Sequence, residues 1–578
     1  MWKYIKQYFH FAVIAALFMV CEVLADLYQP ALMKQIVDNG VLGLDNGGTG
    51  NPQLILRVGL FMIVVVILGG TAGSLNNVFV HICCQNIGNV LRKDCFGRIM
   101  SYSFDQMDRF GTGSLITRVT NDVNQVSMLV GQFIRGVIRT GMLTFGSIIC
   151  LYRLNAAFGK IILCVLPFML ACLTACIYSA NPLFSRLQNQ LDKINDILQE
   201  DISGIRVIKA CVRESWEKLR FGKANGELIK TQLKFLTIFS IMNPTINALM
   251  YGAVTLILLS GAGQVAKGTA TPGMIMAAIT YTTQMLNGVL MLVILFQSIS
   301  RGYASWKRVK EVLDSEAALQ DGNFSGKTEV YGLLEFRNVS FRYPGSQKSA
   351  LRRIDLAVRP GETLAIIGPT GSGKSTLVNL MLRFYDVTEG KLLVDGLDVR
   401  QYKLKVLRDK MGVALQKSEL FSMSLRENIS WGADRASDAQ VAAAAKTAQA
   451  ADFIEASPQG YDTPVAERGA SLSGGQKQRV SIARSILKPA EFLIFDDSSS
   501  ALDLKTEAVL YDALNSARPE CTKILIAQRI ATVRWADRIA VMDQGTIVGC
   551  GTHQELLKSC PIYQDIYHSQ IGKEEELL

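Results

Sequence analysis

The run Thr363-Leu-Ala-Ile-Ile-Gly368-Pro-Thr-Gly-Ser-Gly-Lys374-Ser375-Thr376-Leu-Val-Asn-Leu-Met381 decides the fold of the C-terminal half. Apolar residues give a strand, glycines give a tight loop, and a helical stretch follows. The spacing Gly368-x4-Gly373-Lys374-Ser375 is that of a phosphate-binding loop in the strand–loop–helix context such a loop needs. Gly368, Gly371 and Gly373 let the backbone N–H groups around Thr370 and Ser372 wrap phosphates. The helix opening at Ser375 and Thr376 adds its N-terminal dipole. Lys374 is placed to reach the β- and γ-phosphates, and Ser375 offers a hydroxyl to Mg²⁺.

A second apolar strand, Phe492-Leu-Ile-Phe, ends in Asp496, a carboxylate able to hold Mg²⁺ through its waters. Between the two strands lie Val413-Ala-Leu-Gln416-Lys and Leu472-Ser473-Gly474-Gly475-Gln476-Lys-Gln-Arg479. Phe341-Arg-Tyr343-Pro precedes them all, and Asp503 follows. In this order the segments resemble the nucleotide-binding domain of the ABC transporter superfamily. The resemblance implies ATP with Mg²⁺. It implies that Tyr343 stacks on adenine, and that Gln416 meets Mg²⁺ and the attacking water and touches transmembrane loops. Ser473 through Gln476 would face ATP held by an opposite domain, and Asp503 would cross between the two sites. Glu467-Arg468-Gly469 resembles the segment that contacts the loops of the exporter membrane domain.

The 578 residues are too many for one ordinary core, and 49% hydrophobic with 19% charged is unusual for a soluble chain. The apolar residues concentrate in residues 1–300, where six runs near 11–37, 54–82, 127–151, 156–180, 238–262 and 273–299 exceed the length of about 20 residues that a spanning helix needs. The connections 38–53, 152–156 and 263–272 carry at most one Lys or Arg each, whereas 83–126 and 181–237 are long and basic. The positive-inside rule then puts both long connections and both termini in the cytoplasm. The net charge of +10 fits this topology better than nucleic acid, which is not expected as a partner. The twelve cysteines lie mostly in apolar runs without metal-ligand spacing and read as small hydrophobes. The first apolar run lacks a small-residue cleavage site, so no removable leader is expected.

Phe104-Asp-Gln-Met-Asp-Arg-Phe-Gly111 through Asp122 resembles the first intracellular loop of ABC exporters, and Ile202-Ser-Gly204-Ile-Arg206 through Glu214 resembles the second. In that family a short coupling helix in each loop docks on a nucleotide-binding domain. The expected fold is a membrane α-helical domain of six transmembrane helices with long cytoplasmic extensions, fused to an α/β P-loop ABC domain. Its parts are 1–300, with coupling loops about 100–122 and 202–220, a linker 301–330, and the nucleotide-binding domain 331–578.

Two positions depart from the family pattern. Asp497 stands where the family has Glu, and Gln528 in Ala527-Gln528-Arg529 stands where it has His. Both positions act on the attacking water or the γ-phosphate. Asp is one methylene shorter than Glu, and a misplacement of about 1 Å can cost roughly a hundredfold in rate. A Gln amide can donate to phosphate but cannot carry a proton. The combination resembles the degenerate-site subunit of bacterial heterodimeric ABC multidrug exporters. It implies a partner half-transporter with intact Glu and His, whose competent site this chain's own signature segment, Leu472–Gln476, completes. ATP-driven export of amphipathic compounds such as drugs across a bacterial plasma membrane is the expected activity. A lipid or peptide exporter subunit and a regulatory ATP-binding subunit are the competing readings.

Glu22 and Asp26 lie one helical turn apart in the first span. Carboxylates inside a membrane are costly and point to function. A pair on one face would attract organic cations; alternatively they meet a buried arginine, for which Arg135 and Arg139 are candidates.

Overall fold

The computed structural model describes residues 1–316, 318–326, 328–433 and 435–571. They form two compact units, one of Met1–Met100 with Gly113–Ser315 and one of Ser101–Thr112 with Glu316 onward.

In the first unit, six helices among the described residues are long and apolar enough to cross a membrane. The first is Phe9–Gln35, extended by a π-turn at Ile36–Val41. The second, Pro52–Met100, has 49 residues and at about 1.5 Å per residue is far longer than a bilayer is thick. The third runs from Thr112 to Leu154 and carries π-turns at Arg118–Asp122 and Gln132–Val137. Ala156–Ser203, Glu214–Ala266 and Pro272–Asp314 complete the set. Local chemistry sets their starts. The Asn155 side chain accepts from Ala157 N at 2.9 Å, and Thr271 caps the last helix with Pro272 in its first turn.

Lipid gives apolar helices no hydrophobic reason to associate, so close packing and buried polar contacts must hold them. Asn76, fully buried, donates to Ala15 O at 2.6 Å, and Tyr281 donates to Leu27 O at 2.9 Å. Gly73 lies so close to Glu22 that a Cβ would come within 2.8 Å of its carboxyl. Arg308 donates to Asp122 at 2.7 Å and ties the third helix to the sixth. Between Ala156–Ser203 and Glu214–Ala266 sits the short helix Ile205–Ala210, with Ile205 and Val207 exposed.

The second unit contains a four-stranded antiparallel sheet in the order β2-β1-β4-β5, from Leu334–Phe341 (β1), Leu351–Val358 (β2), Glu389–Val394 (β4) and Leu397–Asp398 (β5). Its six-stranded sheet runs β10-β9-β3-β8-β7-β6. Those strands are Thr363–Ile367 (β3), Met411–Ala414 (β6), Phe492–Asp496 (β7), Thr522–Ile526 (β8), Arg538–Asp543 (β9) and Thr546–Gly551 (β10). All but β10 pair in parallel. Every residue of β3, β7 and β8 is buried, as expected where both faces of a parallel sheet are covered.

The helix Phe104–Phe110 belongs to this second unit. Ser103 and Gln106 form its capping box. Gln106 also donates to Glu316 O at 2.7 Å and accepts from Ala318 N at 3.1 Å. Phe104 lies 4.3 Å from Phe384 ring to ring, and Tyr385 donates to Asp108 at 3.0 Å. The segment Ser101–Thr112 thus packs within the α/β unit.

Gln106→Ala takes a side-chain partner from Glu316 O and from Ala318 N, at a cost of about 1–3 kcal/mol. Limited proteolysis of the intact chain should cut next to Glu316 or Ala318 faster in the variant. Unchanged cleavage would mean the glutamine does not hold them.

Candidate nucleotide site

Parallel strands β3, β7 and β8 end side by side, and their C-terminal ends open on a cavity of about 340 Å³. The loop after β3 wraps one wall. Gly371 and Gly373 have φ of +84° and +102°, conformations that favour glycine, and a side chain at Gly368 would strike the Met542 carbonyl. Lys374 donates to Gly368 O at 2.8 Å and Pro369 O at 2.9 Å, so its ammonium lies inside the loop. Burial lowers its pKa, opposed by Asp497 and Asp496.

Ser375 donates to Asp496 Oδ1 at 3.1 Å. A hydroxyl and a carboxylate this close, with Gln416 lining the same cavity, make a hard oxygen set that fits Mg²⁺ completed by phosphate and water. Burial raises the Asp496 pKa, opposed by the Ser375 hydrogen bond, reinforced by Asp497 and opposed again by Lys374.

Tyr343 lines the cavity, its hydroxyl 3.1 Å from Thr376 Oγ1 and 3.3 Å from the Asn379 amide that donates to it. Phe341 and Tyr385 meet its ring edge-on at 4.8 and 5.3 Å. The ring is therefore held both at its hydroxyl and by neighbouring rings.

The two departures meet. Gln528 Nε2 donates to Asp497 Oδ2 at 2.9 Å. Asp497 has φ of +49°, and its N–H donates to Ile526 O at 2.8 Å. Burial raises its pKa, opposed first by the Gln528 bond and then by Lys374 and Arg529.

Ser473, Gly474, Gly475, Gln476 and Asp503 do not line this cavity. Ser473 caps the helix Gly474–Leu487 in a capping box with Gln476, leaving the hydroxyl proton available to a ligand. Gly475 lets Ala501 O approach, 3.1 Å from where a Cβ would stand. Asp503 caps Leu504–Ala517 through Thr506 N at 3.0 Å. Sequence reasoning missed Gln478, whose amide donates to Ser500 Oγ at 3.1 Å and accepts from Ala501 N at 2.9 Å. It missed Arg529 as well, which donates to the carbonyls of Ser500 and Leu502. The Lys-Gln-Arg run after the signature was the available signal for Gln478; nothing marked Arg529.

In the membrane unit, Arg139 pairs with both Glu22 and Asp26, the latter at 3.5 Å. Arg135 instead donates to Asn77 at 2.6 Å. The two carboxylates share one guanidinium, which is the buried-arginine alternative for the pair.

The ABC transporter transmembrane region family matches residues 12–289, and the ABC transporter family matches 351–500. The uncharacterized ABC transporter ATP-binding protein YfiB of Bacillus subtilis is 36% identical, over 99% of this chain and 98% of that one.

The chain belongs to the ABC transporter superfamily, as an exporter-type half-transporter.

An ATP-dependent lipid A-core flippase of Syntrophus aciditrophicus is 31% identical over 97% of this chain and 92% of its own. The structure of a bacterial Atm1-family ABC exporter with ATP bound matches with a TM-score of 0.78 at 28% identity, covering 98% of both chains. The ABC exporter is therefore a multi-pass membrane protein with an ATPase domain of the kind that couples hydrolysis to transport.

Tyr343→Ala should weaken ATP binding about tenfold or more, since base–aromatic stacking is worth about 1–3 kcal/mol. Tyr343→Phe, which keeps the ring, should stay within about twofold. Equal losses measured by displacement of a fluorescent nucleotide would place the hydroxyl, not the stack, in the binding.

Proposed function

We propose that this chain is one half of a heterodimeric ABC exporter whose own site binds MgATP and cleaves it slowly. The observation that carries the reading is the hydrogen bond from Gln528 to Asp497. One carboxylate oxygen is committed to an amide that can neither take nor pass on a proton. The carboxylate is also shorter than Glu, so the water beyond the γ-phosphate lacks a well-placed orienting group. Lys374, Ser375, Asp496, Gln416 and Tyr343 keep the geometry for holding MgATP. The intact signature, outside this cavity, would complete the site of a partner carrying Glu and His. Exposed Ile205 and Val207 on the second coupling helix support docking on that partner. Both termini and the ATPase domain lie in the cytoplasm of a bacterial cell, with the helices in its plasma membrane.

The substrate is an amphipathic compound, a drug or a lipid. A cavity of about 650 Å³ in the membrane unit is lined by His81, Arg135, Arg139 and Arg301, with the amides of Asn77 and Gln132. Arg139 is taken up by Glu22 and Asp26 together, whereas Arg135 meets an amide. A guanidinium that meets an amide rather than a carboxylate favours an anionic or strongly polar head. The relatives described as lipid A-core flippases support that choice over the organic cations expected from the acidic pair. A purely regulatory ATP-binding role would have no use for this lined cavity.

Restoring the family residues, Asp497→Glu with Gln528→His, should raise turnover at this chain's site by tenfold or more, on the order expected for an orienting base. It is measured in a pair whose partner has lost its own catalytic Glu but keeps an intact signature. No gain there would mean that other residues limit the site. Arg135→Gln with Arg301→Gln should slow export of an anionic fluorescent lipid several-fold while sparing a zwitterionic one of equal chain length, about the effect of one charge-assisted contact. Parallel losses would remove charge from substrate choice.

A further inference from the structure

We propose that Gln570, on the C-terminal helix Pro561–Ile571, is a positioning residue for the terminal-phosphate end of the nucleotide site. The proposal rests on the cavity being the ATP site. Beyond Ile526 the chain leaves the sheet; Ala527 N still donates to Ile366 O at 3.2 Å, and the short helix Ile530–Val533 then begins. Gln528 lies between, past the strand ladder, where no neighbouring strand supplies partners for its backbone.

Gln570 supplies them. Its Nε2 donates to Gln528 O at 2.7 Å, and its Oε1 accepts from Ile530 N at 2.8 Å. A carboxamide has one donor and one acceptor side by side, so it can take the place of a strand's peptide group on both sides of one residue. The helix carrying it is anchored. Tyr563 is fully buried in the core cluster, with its hydroxyl 2.7 Å from His553 Nδ1. With the backbone of 528 and 530 pinned, the Gln528 side chain is aimed at Asp497 and into the cavity that Lys374 also lines. Gln570 lines none of that cavity, so it acts only through Gln528.

A helix cap for Ile530–Val533 would make the same contacts, so the test must separate positioning from folding. A side chain at position 528 bears on the γ-phosphate, which ADP lacks. In the full-length chain in lipid nanodiscs, Gln570→Ala should weaken MgATP about fivefold to tenfold, as expected for two lost hydrogen bonds, and leave MgADP within about twofold. Gln570→Glu keeps the acceptor for Ile530 N but sets a carboxylate against Gln528 O, and should give the same split. Gln528→Ala combined with Gln570→Ala should add nothing to either alone, because the two act as one unit. Equal weakening of MgATP and MgADP, or additive losses in the double variant, would overturn the proposal. A wild-type chain binding neither nucleotide would overturn the nucleotide-site reading beneath it, and this proposal with it.

Discussion

The pairing of Asp496 with Ile526 across β7 and β8, and of Ile366 with Ile526 across β3 and β8, is the constraint on which the nucleotide site depends. These strands are buried on both faces, so their register is fixed by packing. In register, they end level. The phosphate loop leaves β3, the Asp496–Asp497 pair leaves β7, and the Gln528 segment leaves β8 at one edge. A slip of one residue would turn Asp496 to the other face and separate it from Ser375.

What this edge does chemically is decided by a few atoms. Ser375 and Asp496 keep the oxygen pair that suits Mg²⁺, and burial raises the carboxyl's pKa. Asp497 and Gln528 satisfy each other. That bond gives the half-buried Asp497 carboxylate a donor. The membrane unit follows the same rule. Glu22 and Asp26 are tolerable inside the first span because Arg139 reaches both, and Arg308 does likewise for buried Asp122.

Much of this was legible from residues alone. The phosphate loop, the strand ending at Asp496, the six spans and the long helical extensions follow from short-range pattern and length. So did the departures at 497 and 528, because each sits at a fixed distance from a motif. The contact between them was not legible, since it joins the ends of two strands 31 residues apart. Gln478, Arg529 and Gln570 were hidden for the same reason: an amide or guanidinium gains a role only when folding brings a backbone group to it. The sequence offered Arg135 and Arg139 equally as partners for the acidic pair, and only the packing of the first and third spans separates them. Arg301, just past the last apolar run, reads as the start of a linker until the helix carries it to the cavity wall.

A site that binds MgATP without turning it over leaves a direct chemical trace. The chain, assembled with its partner, is loaded with a photoreactive ATP analogue labelled on both the α- and γ-phosphates. After several turnovers of the complex it is crosslinked, and this chain is isolated. Retention of γ-label equal to α-label on this chain, while the partner holds mainly the α-label, is the expected result. A γ-to-α ratio on this chain as low as the partner's would show that Asp497 and Gln528 support hydrolysis, and would contradict the asymmetry at the centre of the proposed function.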